Sequence, residues 1–102
     1  MALKTFPYDS AEYLEDDQAI AEYLEEAMKI AMEDSAPAFL AQALGTVARA
    51  RGMSQIAKDA GLSRESLYKA LGAEGNPEFG TVLKVLQALG LKLSIKSKGE
   101  AA

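Results

Sequence analysis

SQIAKDAGLSRESLYKAL, residues Ser54–Leu71, holds two short helix patterns separated by a glycine. Ser54 is expected to cap a helix over Gln55–Ala60, and Ser63 a second over Arg64–Leu71. Helices joined by three residues cross steeply, so the crossing point must be small, and Ala57 meets that need. The turn needs a residue that accepts positive φ, which Gly61 does without steric cost. Leu62 points inward, and Ile56, Ala60, Leu67 and Ala70 form a seam against the rest of the chain. Small, glycine and apolar residues at these offsets match a DNA-binding helix-turn-helix.

The surface left over is the candidate reading face. Ser63, Arg64, Glu65 and Tyr68 project from the first part of the second helix, the part such a motif inserts in the major groove. Arg64 can make the bidentate contact to guanine O6 and N7. Glu65 can accept from cytosine N4 or orient Arg64. Gln55, Lys58, Lys69 and Arg51 are the expected phosphate contacts, Gln55 with the backbone amides at its helix start.

Outward from this pair the chain reads as further helices. Upstream, Asp9 can cap a first turn with Glu12 at the capping-box position. From about Asp17 to Glu33 an apolar stripe runs through Ile20, Tyr23, Leu24, Ala27, Met28 and Ala31. Asp34 or Ser35 is expected to begin the next helix, with Pro37 in its first turn. Its stripe is Leu40, Ala43, Leu44, Val47 and Ala48, and Gly52 stops it. Downstream, Asn76-Pro77 opens a last helix with Phe79, Val82, Leu83, Leu86 and Leu89 on one face, closed by Gly90. Leu91, Leu93 and Ile95 then alternate with Lys92, Ser94 and Lys96, which predicts a short strand. Residues from Lys98 onward read as a frayed tail.

Composition narrows the function classes. The chain has 102 residues, room for one compact domain, and 49% are hydrophobic, enough to bury a core. It has no Cys and no His, so a disulfide framework is impossible and the commonest transition-metal ligands and neutral-pH base are missing. We expect no metal and no cofactor, and a cytoplasmic protein with no signal peptide and no membrane span. The net charge of −4 hides a split. Residues 1–34 carry ten acidic and two basic residues, a net −8, and residues 35–102 carry five acidic and nine basic, a net +4. That asymmetry predicts a basic partner for the front and an acidic one for the back.

From about Ala38 to Lys96 the chain resembles the Cro/repressor-like (Xre) helix-turn-helix proteins, and within them the HigA-type group of addiction-module antidotes. The carrying stretch is ALGTVARARGMSQIAKDAGLSRESLYKALGAEGNPEFGTVLKVLQALGLKL, with GLSRESLYKAL and GNPEFGTVLKVLQALGLKL its most specific parts. The lead-in TFPYDSAEYLEDDQAIAEYLEEAMKI adds to it. Two departures are Met53-Ser54-Gln55, where many relatives cap with Thr, and Gly80 near a helix start. The resemblance implies an all-α, lambda-repressor-like helix-turn-helix bundle, here with an N-terminal helical extension and a short C-terminal β-strand. It implies an antitoxin of a type II toxin–antitoxin pair that silences a RelE/HigB-like, mRNA-cleaving toxin. It also implies repression of the protein's own operon, usually by a dimer, through Gln55, Ser63, Arg64, Glu65, Tyr68 and Lys69.

Two segments follow: residues 1–34, an acidic helical piece, and residues 35–98, the DNA-binding domain. A ribonuclease toxin must be basic to hold RNA, so the front segment suits it, with Glu15, Asp16, Asp17, Glu22, Glu25 and Glu26 as expected toxin contacts. One recognition helix reads few base pairs, so a homodimer on double-stranded operator DNA is expected, its two helices about 34 Å apart. The lone strand, which lacks a partner unless Lys4–Phe6 supplies one, can pair with a second copy or with the toxin's sheet. The rival readings are a stand-alone Xre-family repressor without a toxin and an adaptor bundle that binds no DNA. Catalysis is disfavoured, because Asp16-Asp17 and Glu25-Glu26 are sequence neighbours and do not face each other on a helix.

Overall fold

The structure, a computed structural model, describes residues 16–72 and 75–100. Among these residues all regular structure is helical: α1 Asp17–Glu33, α2 Pro37–Arg51, α3 Met53–Ala60, α4 Arg64–Ala70, α5 Phe79–Ala88, and a 3-10 turn Lys98–Glu100. The Asp9–Glu12 turn, the contact Glu15 and the Lys4–Phe6 segment lie outside the described residues.

Helix α1 turns Ala19, Ile20, Leu24, Ala27 and Ala31 inward, spacings that keep one face toward the core. Tyr23 and Met28, at the edges of that stripe, are half-buried. Helix α1 packs on α2, whose Ala43, Leu44, Val47 and Ala48 are buried as expected. Helix α3 packs against α2, α4 and α5 and is the element that joins them. One core results. Its largest fully covered side chains are Ile20 of α1, Leu44 and Val47 of α2, Leu67 of α4 and Val85 of α5. Among the described residues it buries no charged or polar side chain.

Several helix ends differ from expectation, each for a local reason. Ser35 does not start α2; it takes φ 52° and closes α1, while the Ala36 amide donates to the Ala31 carbonyl at 2.8 Å. Ala36 precedes α2 instead, with Pro37 in its first turn. Ser54 is not a cap, because Gly52 at φ 106° already turns the chain and α3 begins at Met53. Likewise Glu78, not Asn76, precedes α5. Helix α5 also docks with a rotated face. Val82, Val85, Leu86 and Leu89 are buried, whereas Phe79 is 64% and Leu83 37% exposed.

The expected C-terminal β-strand is absent among the described residues. Leu91 is drawn into the end of α5, its amide donating to the Leu86 carbonyl at 2.9 Å while Gly90 sits at φ 78°. The rest of Leu91–Ser97 has no regular structure. Alternation of apolar residues makes a strand only where a neighbouring strand accepts its hydrogen bonds, and none of the described residues provides one. The tail, expected to fray, makes the 3-10 turn at Lys98–Glu100, with the Gly99 amide donating to Ser97 Oγ at 3.2 Å.

Candidate functional site

The site is built from the bend between α3 and α4. Gly61 ends α3 at φ 74°, where a side chain would be strained by the backbone itself although nothing lies within 4 Å of an added Cβ. The Gly61 amide donates to the Lys58 carbonyl at 3.1 Å and the Leu62 amide to the Ala57 carbonyl at 2.8 Å. These two bonds close the helix and send the chain off in a new direction. Ser63 then has extended backbone, and its Oγ accepts from the Ser66 amide at 3.0 Å. Glu65 stands in the first turn and Lys69 in the last, each where the helix dipole favours its sign.

Helix α4 is anchored by little and shows almost everything. Leu67 is fully buried and Ala70 half-buried. Arg64, Glu65, Ser66, Tyr68 and Lys69 are exposed. Arg64 lies over the Tyr68 ring, its guanidinium carbon 5.3 Å from the ring centroid, with Nη2 3.5 Å from the phenol oxygen. The i,i+4 spacing puts the cation on the ring face, an attraction of about 0.5–1 kcal/mol at an exposed site. Tyr68, not Glu65, therefore orients Arg64. The Ser63 hydroxyl is engaged in the cap and also meets Ser66 Oγ at 2.8 Å. Ser66 was not singled out from the sequence, although its place three residues after the cap carries that signal.

The residues expected to meet phosphate fall into two groups. Lys58 and Lys69 are exposed, with no ion pair to either among the described residues. Gln55 Nε2 donates to Asp59 Oδ1 at 2.9 Å, so this side chain bonds along its own helix. The first amides of α3 have no side-chain cap. Arg51 is engaged elsewhere: Nη1 donates to Asp17 Oδ1 at 3.0 Å. The structure thus joins a residue assigned to one partner with a residue assigned to the other.

The acidic residues of α1 are exposed and separate along its length. Asp16 and Asp17 stand at its start, Asp17 turned to Arg51. Glu22, which accepts from Gln18 Nε2 at 3.1 Å, Glu25 and Glu26 lie further along. These three rim a groove of about 780 Å³ whose floor includes Leu24, Leu40, Leu44, Val82 and Leu86. Lys29 and Lys92 also line it. Among the described residues there is no cluster of three or more His, Cys, Asp or Glu suited to a metal ion. No described helix is long and apolar enough to cross a membrane.

Comparison with known proteins adds a family. A family model described as "probable addiction module antidote protein" matches residues 4–97. An uncharacterized protein of Haemophilus influenzae strain Rd is 52% identical over 89 residues, covering 87% of this chain and 88% of the relative. No solved structure matches significantly.

Proposed function

This chain belongs to the family of addiction module antidote proteins, and from that premise we propose that it is an antitoxin that both silences a toxin and represses its own operon by reading double-stranded operator DNA. In this reading it is a HigA-type member of the Xre group, and α3 and α4 form a lambda-repressor-like helix-turn-helix. Helix α4 enters the major groove, Arg64 reads a guanine, and Ser63, Glu65 and Tyr68 contact neighbouring base edges. Lys69, Lys58, Gln55 and Arg51 hold phosphates, together with the uncapped amides at the start of α3.

The observation that carries this reading is the exposure of α4. A helix that buries Leu67 and half-buries Ala70, with Leu71 covered at its end, yet leaves an arginine, a glutamate, a tyrosine and a lysine exposed, is poorly explained by packing. The Tyr68 ring under Arg64 restricts that guanidinium and so reduces the entropy lost when it meets a base.

The toxin is proposed to be a small basic RelE/HigB-like ribonuclease met by the acidic segment 1–34, through Glu15, Asp16, Asp17, Glu22, Glu25 and Glu26. The charge of −8 on residues 1–34 supports a basic partner. Residues 35–98 are the DNA-binding part, although Ile20, Leu24 and Ala27 of α1 share the core with it. Two copies would place two α4 helices on a palindrome, and exposed Phe79, Leu83 and Ile95 favour self-association. The protein would act in the cytoplasm, beside its promoter.

A gel-mobility shift on the gene's own promoter tests the repressor half: a retarded, salt-sensitive complex is expected. Co-expression with the product of the adjacent reading frame tests the antitoxin half: a stable complex and restored growth are expected. No shift at micromolar protein would remove the DNA reading, and failure to bind any neighbouring product would remove the toxin reading.

A further inference from the structure

The groove beside α1 stands open, while the residues that follow α5 leave apolar side chains in solvent. Its floor includes Leu24, Leu40, Leu44, Val82 and Leu86, so α1, α2 and α5 all build it. Glu22, Glu25 and Glu26 on its rim are exposed. Among the described residues the one ion pair is that of Arg51 with Asp17, so these three carboxylates have no cation partner there. The chain after α5 borders the same groove through Leu91, Lys92, Leu93 and Ser94. It then leaves: Leu93 is 43% exposed and Ile95 94%, the highest value of any large apolar side chain among the described residues. Lys92, Lys96 and Lys98 are exposed beside them. Residues 91–98 thus carry three lysines and no acid, with Leu93 and Ile95 uncovered. Groove and tail are opposite in charge and both apolar between their charges, yet within one chain Ile95 does not line the groove.

We propose that residues 93–98 of a second copy fill this groove, so that two chains exchange tails across a two-fold axis. The inference rests on the homodimer of the reading above and gives it an interface; it needs neither DNA nor toxin. In an isologous pair every contact is made twice. A tail that borders its own groove lies next to the other copy's groove when the axis runs alongside Leu93. Ile95 of the second copy then covers the apolar floor, and its Lys96 and Lys98 meet Glu22, Glu25 and Glu26. Contact removes apolar surface from water on both sides, and the rim charges select the segment that enters. Residues 1–15 are the alternative occupant from this chain. They carry Lys4 against Asp9, Glu12 and Glu15, so they would bring like charge to the rim. Glu22, Glu25 and Glu26 are also among the toxin contacts proposed above, so the measurement is made on the chain alone.

The experiment is sedimentation equilibrium of the full chain over a micromolar range of concentration. Wild type should be a dimer whose dissociation constant rises with salt. Ile95→Asp should raise that constant about tenfold or more. Ile95 is almost wholly exposed within its own chain, so circular dichroism should show the helices kept. The double variant Glu25→Lys with Glu26→Lys should weaken the dimer about fivefold or more, and so should Lys96→Glu with Lys98→Glu. Mixed in equal amounts, these two charge variants should form a heterodimer of wild-type strength, because each groove then meets a tail of opposite charge. Their net charges become 0 and −8 from −4, so no overall attraction between the chains would explain that recovery. If mixing restores nothing, or if Ile95→Asp dimerises as tightly as wild type, this inference alone falls. If wild type is monomeric throughout, the dimer reading falls with it, and the groove is left to residues 1–15 or to a basic partner.

Discussion

Helices α3 and α4 are adjacent and nearly equal in length, yet they meet the molecule differently. Over eight residues α3 buries Met53, Ile56, Ala57 and Ala60, and it touches α2, α4 and α5. Over seven residues α4 buries Leu67. The first is a packing element, with apolar residues on one face and Gln55, Lys58 and Asp59 on the other. The second is a presenting element, held by Leu67 within it and Leu71 at its end and aimed by a glycine turn. Stability and recognition are thus divided between two neighbours, and substitutions in the two helices should act on different measurements.

Removing the fully buried leucine of α4 should have the largest effect. Leu67→Ala empties a fully covered position and should lower unfolding free energy by about 2–5 kcal/mol in urea titration. A loss under 1 kcal/mol would mean α4 is not pinned there. Arg64→Ala should lower stability by no more than about 1 kcal/mol, the contact with Tyr68, and weaken operator binding by about 1–3 kcal/mol, with relaxed preference at one base position. If stability dropped and binding held, the division between the helices would be wrong. Gly61→Ala should cost about 1–2 kcal/mol of stability through its left-handed backbone alone, since an added Cβ meets no atom. Gly61→Asn, which tolerates that conformation, should cost less. Lys69→Ala should have the smallest effect, a uniform weakening across DNA sequences with the salt slope reduced by about one unit.

Helix α5 separates what patterning can say from what it cannot. Phe79, Val82, Leu83 and Leu86 make a valid i, i+3, i+4, i+7 stripe, and so do Val82, Val85, Leu86 and Leu89. The helix is apolar enough to carry both. The buried set is the second, because docking on α3 selects one face and leaves Phe79 and Leu83 outside. In α1 and α2 the glutamates, glutamine and arginines leave one apolar stripe, and there the expected and buried residues largely coincide. The C-terminal segment failed for another reason. A strand is a property of two segments, and Leu91–Ser97 has no second one among the described residues.

The sequence by itself determined the helix content, the bend at Gly61, the cap at Ser63 and the inward residues of the α3–α4 pair. These depend on φ preference, side-chain hydrogen bonds within a few residues and helical periodicity, all short-range. Only the tertiary structure decided which face of α5 is buried, that Arg64 rests on Tyr68 rather than beside Glu65, and that Arg51 is held by Asp17. The last of these joins positions distant in sequence. No local rule can foresee it, because the distance between two side chains on separate helices is set by how the apolar faces of those helices pack.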